Sequence, residues 1–431
     1  MSTWIYHHND GDGFAAATLI ASEYCTLRSV KEMVDEDNFT NVRVPEDLHI
    51  IAVNYNKSMD LSPIQDGDTV YMLDYTSSRK DDIASMNKLW EDHGKNIEYI
   101  HIDHHKSALT VIEQCEGLKE YLRINGGIFP TEEFEQAGCM LTFIAQNIGK
   151  SIFRLLFRGY YFKEEIPFND LNIKEKFTDI EDDAPVWIKL TADHDIFSGR
   201  YLNSHEFARG AYYNGLYHTY LDVKNSDSFL CLLVNDQASK NSDIRQFVKS
   251  SYKTDEVSNK LYEKGKLIKG VLDGSYQKYL GKSFEIYINM SLSKELLDPT
   301  NKMDLQYNDD GVLNAEGKIL CMNGFGNSEM FLDKFEEYDA CILFNFDGEY
   351  VEHSIYSKKS SSFPCHALAI WGGKFFGISG GGHEHAAGFY TDDLFFKKDH
   401  VFLLSDHTFT TLSKHNMHKG EFERLFGRED N

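Results

Sequence analysis

The sequence predicts an α/β fold with a mainly parallel sheet, a helical linker and a smaller C-terminal α+β domain, on three observations. Short apolar runs alternate with helix-like patterns through residues 1–204. Residues 205–283 turn polar and helical in pattern. From 284 to 431 strand-like runs return, with turn residues between them. At 431 residues the chain is also too long for one average domain.

Trp4-Ile5-Tyr6 heads a strand expected over 4–9, and Asp10-Gly11-Asp12-Gly13 follows before a helical pattern opens at Phe14. Further strands are expected at Leu48–Val53, at Thr69–Leu73 ending on Asp74, and at Ile97–Ile102 ending on Asp103. Asp81–His93 reads as a helix, as do 132–150 and 151–160. The charge-rich tract 163–183 is expected to be a solvated loop or an insertion. Trp187–Leu190 is an apolar run leading into Thr191-Ala192-Asp193-His194-Asp195. After a long helix at Glu256–Leu280, strands are expected at 284–290, 318–323 and 340–346, and a glycine-rich segment at 377–389. Internal repeats and low-complexity tracts are absent from the sequence.

A hydrophobic share of 42% with 13% aromatics is enough to build real cores. No apolar stretch reaches the roughly 18 uncharged residues that suggest a membrane span. Seven scattered cysteines without a Cys-x-x-Cys pair, and no basic-then-apolar leader before Trp4, fit a reduced, cytoplasmic protein. The formal charge of -24 argues against gripping long duplexes, because that affinity comes from neutralising phosphates. The substrate is then short, or a local basic groove is hidden in the totals.

Asp103-His104-His105 closes an apolar run, and acids and imidazoles crowded at a strand's carboxyl end call for a divalent partner. In His8-Asn9-Asp10-Gly11-Asp12-Gly13, residues two apart on an extended chain face one way, so His8 and Asp10 can address one centre. Gly11 and Gly13 are expected to let the backbone turn sharply and bring Asp12 round. The ordinary reading of that segment is a turn rich in Asp and Gly. For Asp74 it is a helix cap, and for Asp193 and Asp195 surface acids. Jointly, four acid clusters behind apolar runs suit a two-metal centre for phosphoryl chemistry, with two divalent ions. Imidazole plus carboxylate points to manganese first, with magnesium or another divalent ion as alternatives.

Gly380-Gly381-Gly382-His383 would let backbone approach a ligand and offer amide groups to an anion, with His383 adding a hydrogen bond or charge. Ala386 and Ala387 are expected to let a following helix pack tightly. Ser357-Lys358-Lys359-Ser360 reads as a phosphate contact or an exposed turn.

On these motifs, in this order, the chain resembles the DHH phosphoesterase superfamily, in the branch with a C-terminal DHHA1 domain. HNDGDG at 8–13, Asp74, Asp103-His104-His105 and Asp193 match its metal motifs, and GGGHEHAAGF at 380–389 resembles the DHHA1 signature. The resemblance implies that His8, Asp10 and Asp74 hold one manganese. Asp12, Asp74, His104 and Asp193 hold the other, with Asp74 bridging. It gives His105 the scissile phosphate, as a transition-state contact or proton donor, beside Asp103 and His104. It makes Gly380, Gly381, Gly382, His383, Lys359 and Ser360 substrate-binding residues, acting across a cleft between domains. Lys359 stands where the family often has Arg, a point contact in place of a bidentate clamp. Trp371-Gly372-Gly373-Lys374-Phe375-Phe376 is unusual for the family and is expected to form an extra hairpin.

The wording around Glu135-Gln136-Ala137-Gly138-Cys139 and Ala192–Phe197 is similar to the short-oligoribonucleotide hydrolases, the nanoRNases. The expected activity is hydrolysis of short RNA or DNA oligonucleotides, or linear dinucleotides, to 5′-mononucleotides by a metal-activated water. Alternatives are a RecJ-like single-strand DNA exonuclease and a cyclic-dinucleotide phosphodiesterase. The non-enzyme alternative is a nucleotide-binding protein that has lost the chemistry.

Overall fold

In a computed structural model of the chain, the described residues are 1–27, 42–55, 57–128, 136–149, 173–240, 252–280, 282–297, 307–324, 328–331, 334–346, 350–358, 360–376, 380–382, 384–391, 400–405 and 408–413. They fall into two compact units. The first takes Met1–Thr76, Asp82–Ala108 and Gln114–Val271; the second takes Ser77–Asp81, Leu109–Glu113 and the chain from Leu272 onward.

The first unit begins with β1 (Thr3–His8), α1 (Gly11–Tyr24), β2 (Thr26–Leu27), β3 (Val42–Arg43), β4 (Leu48–Val53) and β5 (Thr69–Leu73). Next come α2 (Lys80–His93), β6 (Glu98–Ile102), α3 (Lys106–Gln114), α4 (Glu116–Asn125), β7 (Gly127–Ile128) and α5 (Gly138–Ile148). Helices α6 (Ile173–Asp183), α7 (Val186–Asp195), α8 (Ser204–Asn214), α9 (Leu216–Tyr220), α10 (Phe229–Lys240) and α11 (Tyr252–Leu280) complete the run.

Five strands form a sheet in the order β4-β1-β5-β6-β7, all parallel. Strands β1 and β5 are buried almost throughout, as central strands covered on both faces must be. The chain leaves β1 for β4 on one side and then crosses to β5 on the other. Carboxyl ends of neighbouring strands diverge at such a switch point, which is where open α/β sheets hold ligands. Helix α1 is buried nearly all round; Ala15, Ala16 and Ala17 are fully buried and let other helices close on it.

The stretch expected as a linker is helical, and through Val271 it belongs to the first unit. Phe207, Tyr220 and Phe229–Val234 join the core around α1, and Trp187 stacks on Phe229 with ring centroids 4.5 Å apart. Tract 173–183, expected as loop, is helix α6: Phe177 is buried and Ile180 packs on the core, one apolar stripe among charges. Residues 151–160 and 163–172 lie outside the described residues.

The second unit continues with β8 (Phe284–Ser293), α12 (Lys294–Leu297), β9 (Val312–Asn323), β10 (Ala340–Phe346) and β11 (Val351–Tyr356). It ends with α13 (Cys365–Phe376), β12 (Gly380–Gly382), β13 (Ala386–Thr391), β14 (His400–Ser405) and β15 (Thr408–Ser413). These strands make one mixed sheet, β12-β13-β11-β10-β9-β8-β14-β15. The unit is α+β, as the pattern predicts.

Two local expectations are corrected here. Trp371–Phe376 forms no hairpin; it is the last part of α13. A Cβ on Gly372 would lie 2.6 Å from the Phe389 ring, so glycine there lets the helix sit on β13. Ala386 and Ala387 open no helix either, since they pair with Tyr356 and Ile355 of β11. Their small side chains suit a strand covered by the preceding helix. No described helix is long and apolar enough to cross a membrane.

Candidate metal centre

His8 ends β1, and Asp10 caps α1 by accepting the Gly13 N–H at 2.9 Å. That cap starts the helix at Gly11 rather than at Phe14, and carries Asp12 on its first turn. Neither glycine makes the sharp positive-φ turn expected of it. Gly13 is required for another reason: a Cβ there would lie 2.2 Å from the His8 carbonyl oxygen. Asp74 follows β5 with φ of 55°, a left-handed conformation rare outside glycine, while its N–H donates to Ile102 O at 2.7 Å. Such strain persists where surrounding structure enforces it, and clusters at functional sites.

The side chains converge. His8 Nδ1 is 2.7 Å from Asp10 Oδ2 and 3.8 Å from Asp74 Oδ2. His104 Nε2 is 3.1 Å from Asp74 Oδ1, 3.2 Å from Asp195 Oδ2 and 3.8 Å from Asp12 Oδ2. Two donor sets result, His8-Asp10-Asp74 and Asp12-His104-Asp195, each with ligand atoms within 4.8 Å of one another. Asp74 faces both. A third grouping joins Asp74, His104 and His105, but His105 Nδ1 is held by Asp103 Oδ1 at 2.8 Å.

Asp193 is not brought into these sets. Its Oδ1 accepts from the Arg200 N–H at 2.7 Å and from the Ser198 hydroxyl, so it ties down the loop after α7. Burial would raise its carboxyl, but hydrogen bonds led by Ser198 hold it below the ordinary value. The acid that reaches the cluster is Asp195. Residues two apart on a helix point to different faces, so α7 can present only one of the pair. The sequence resemblance names Asp193 as the ligand and not Asp195; the signal it lacks is that 187–195 is helix.

Gly138 and Cys139, at the start of α5, have roles that spacing could not show. Cys139 N–H donates to Asp12 Oδ1 at 2.9 Å, which brings the positive end of the helix to that carboxylate. A Cβ on Gly138 would lie 2.8 Å from Asp12 Oδ2 and 3.0 Å from Asp74 Cβ. Tyr55 stacks on Tyr75 at 4.8 Å and tilts against His8 at 5.0 Å, walling the cluster with rings.

The electrostatics show what the cluster lacks. Burial, then the Asp10 charge, pushes Asp12 up to about 6. Burial and the neighbouring carboxylates, Asp10 and Asp12 first for Asp74 and Asp12 first for Asp195, push these two acids well above the ordinary value. Asp10 goes the other way, because His8 and the Gly13 N–H outweigh burial. Asp12 Oδ2 and both Asp74 oxygens are buried and accept no hydrogen bond from a described residue. Buried carboxylate oxygens without donors, set among imidazoles, fit a divalent cation.

The other sequence-predicted residues lie in the second unit. Gly380, Gly381 and Gly382 form β12, the outer strand of its sheet, paired with Phe389, Gly388 and Ala387. Ser360 is exposed, and Lys358 pairs with Glu336. His383 and Lys359 lie outside the described residues, as does Glu135 beside the Gln136–Cys139 segment.

The sequence matches no protein-family model and no curated protein. Among solved structures it is similar to an uncharacterized protein from Helicobacter pylori G27, at 14% identity over 92% of this chain and 95% of that one, with a TM-score of 0.31. It is similar to RecJ from Thermus thermophilus in complex with Mn2+, at 12% identity and a TM-score of 0.35, covering 91% of this chain and 49% of that one. A pGpG-specific phosphodiesterase, PggH from Vibrio cholerae, gives 12% identity over 91% of this chain and 94% of that one, with a TM-score of 0.30. Likeness this loose assigns neither activity nor substrate to this chain.

Proposed function

We propose that this protein is a divalent-metal-dependent phosphodiesterase of the DHH type that hydrolyses short oligonucleotides or linear dinucleotides to 5′-mononucleotides. The observation that carries the reading is Asp74, one buried carboxylate facing both donor sets. His8, Asp10 and Asp74 would hold one ion, and Asp12, Asp74, His104 and Asp195 the other, manganese by donor chemistry. Two such ions, when bound, supply an activated water and offset charge on the attacking and leaving oxygens.

The chain's own residues do the rest. Asp103 orients His105 through Oδ1, which accepts the His105 backbone N–H at 2.9 Å as well as its ring Nδ1. Burial would lower the His105 imidazole, yet the Asp103 carboxylate outweighs it and raises the ring above its ordinary value. A protonated His105 suits proton donation to the leaving oxygen. Gly380, Gly381, Gly382, His383, Lys359 and Ser360 are the proposed binders of the rest of the substrate. The net charge of -24 favours substrates with few phosphates over long polyanions.

The test is hydrolysis in Mn2+ of 5′-phosphorylated RNAs of about two, five and twenty-four nucleotides, matching DNAs and cyclic di-AMP. Fast turnover of the shortest RNAs, abolished by Asp103→Asn, is the expected result. Preference for the long DNA would replace this reading with an exonuclease of RecJ type. No turnover with metal bound would point to a nucleotide-binding protein.

A further inference from the structure

A chain of buried polar groups runs away from the centre, beyond the residues given roles above. Tyr99 and His101 lie two apart on β6 and therefore share a face. The Tyr99 hydroxyl is 3.0 Å from His101 Nδ1, and His101 Nε2 is 2.9 Å from Thr76 Oγ1. The Thr76 hydroxyl donates in turn to Asp103 Oδ2. Asp103 Oδ1 holds His105. Tyr99, His101 and Thr76 are all buried, and Asp103 is completely so.

Counting donors fixes the order of protons. Asp103 Oδ1 accepts the His105 backbone N–H and its Oδ2 accepts the Thr76 hydroxyl, so both oxygens of this carboxylate act as acceptors. Thr76 has one hydroxyl proton and gives it to Asp103, so it can only accept from His101, and Nε2 carries the hydrogen. Burial pushes His101 down to about 4 against the Asp103 charge and a hydrogen bond to the Tyr75 backbone. The ring is neutral at pH 7, so Nδ1 is the acceptor for Tyr99, whose phenol burial keeps protonated. Tyr99 is itself clamped by Tyr121, stacked at 4.8 Å.

We infer that Tyr99, His101 and Thr76 are positioning residues: they lock Asp103 so that His105 keeps its hydrogen on Nδ1, leaving Nε2 as the atom that exchanges a proton with substrate. The last clause rests on the phosphodiesterase reading; the order of protons does not. Partners that orient a site side chain typically change activity by about 10–100-fold when removed.

The variants are Thr76→Val, close to isosteric, Thr76→Ser, which restores the hydroxyl, and Tyr99→Phe. Thr76→Val is expected to lower kcat by about 10–100-fold with KM and Mn2+ affinity each within about threefold. Thr76→Ser should recover most of the loss, and Tyr99→Phe should give a smaller one. Independently of activity, nitrogen NMR of histidine-labelled, metal-free protein should show hydrogen on His105 Nδ1 and on His101 Nε2. Thr76→Val should blur the His105 pattern. A bare His105 Nδ1 in the wild type, or unchanged kcat and tautomers in Thr76→Val, overturns the inference. If those tautomers are found but the wild type turns over none of the substrates, the order of protons stands and the phosphodiesterase reading fails.

Discussion

Replacing Asp74 by Asn should make the metal-free protein more stable and the metal-loaded protein less so. Asp74 is buried, and the ligand atoms of His8, Asp10 and Asp74 lie within 4.8 Å of one another. Two carboxylates at that distance repel by roughly 3 kcal/mol at an effective dielectric near 20. Part of this is offset by attraction to His8 and His104, and part is relieved by protonation. The net gain on removing the charge is about 1–2 kcal/mol, or about 2–8 °C in Tm. With Mn2+ the sign reverses. One ion at a hundred times its Kd contributes about 2.7 kcal/mol, so the wild type should gain about 5–10 °C. Asp74→Asn, which touches both donor sets, should gain less than about 2 °C. Thermal unfolding by circular dichroism in EDTA and across a Mn2+ titration reads both numbers. A variant that melts below the wild type in EDTA and keeps the full Mn2+ shift would refute the reasoning.

Gly138→Ala should leave the fold intact yet weaken Mn2+ at least about tenfold by calorimetry, since its Cβ would press on Asp12 and Asp74. Unchanged affinity would remove α5 from the site. Asp195→Asn should lose Mn2+ binding at near-normal stability, whereas Asp193→Asn should lose roughly 2 kcal/mol of stability and still bind metal. The reverse pattern would restore Asp193 as the ligand. Asp68 accepts Ser2 N–H at 2.7 Å, Trp4 Nε1–H at 2.9 Å and Gln65 N–H at 3.0 Å, and these bonds outweigh burial to lower its carboxyl. A depressed folded pKa stabilises above the unfolded value and is lost as pH falls through the folded one. Urea unfolding should therefore show Asp68→Asn weaker by about 2 kcal/mol at pH 7, with the gap closing below about pH 4; a pH-independent gap would contradict this.

Much of the first unit was legible because its signals are local. Leu48–Val53 and Thr69–Leu73 are strands at the predicted bounds, since apolar runs of that length between polar turns have few other uses. His8 with Asp10, and the acids after Thr69–Leu73 and Ile97–Ile102, stood out because strand ends and glycines mark where a parallel sheet opens. Helix α6 was harder to see. Among its many charges, the buried Phe177 looked incidental until other helices supplied a surface to bury it against. Trp371–Phe376 misled in the opposite way, since two glycines suggested a turn, whereas both lie inside a helix and the packing of Phe389 requires the first of them, Gly372.

Residue types and order along the chain were enough to identify an α/β unit, an α+β unit, and acids with histidines gathered where strands end. They could not choose Asp195 over Asp193, because that choice depends on which face α7 turns toward Asp12 and His104. Nor could they show that α5 aims the Cys139 N–H at Asp12, or that Thr76 and His101 stand behind Asp103. Pattern along a chain records which side chains share a face of one element. Which faces meet, and which buried oxygens are left without a donor, is settled only when elements far apart in sequence pack together.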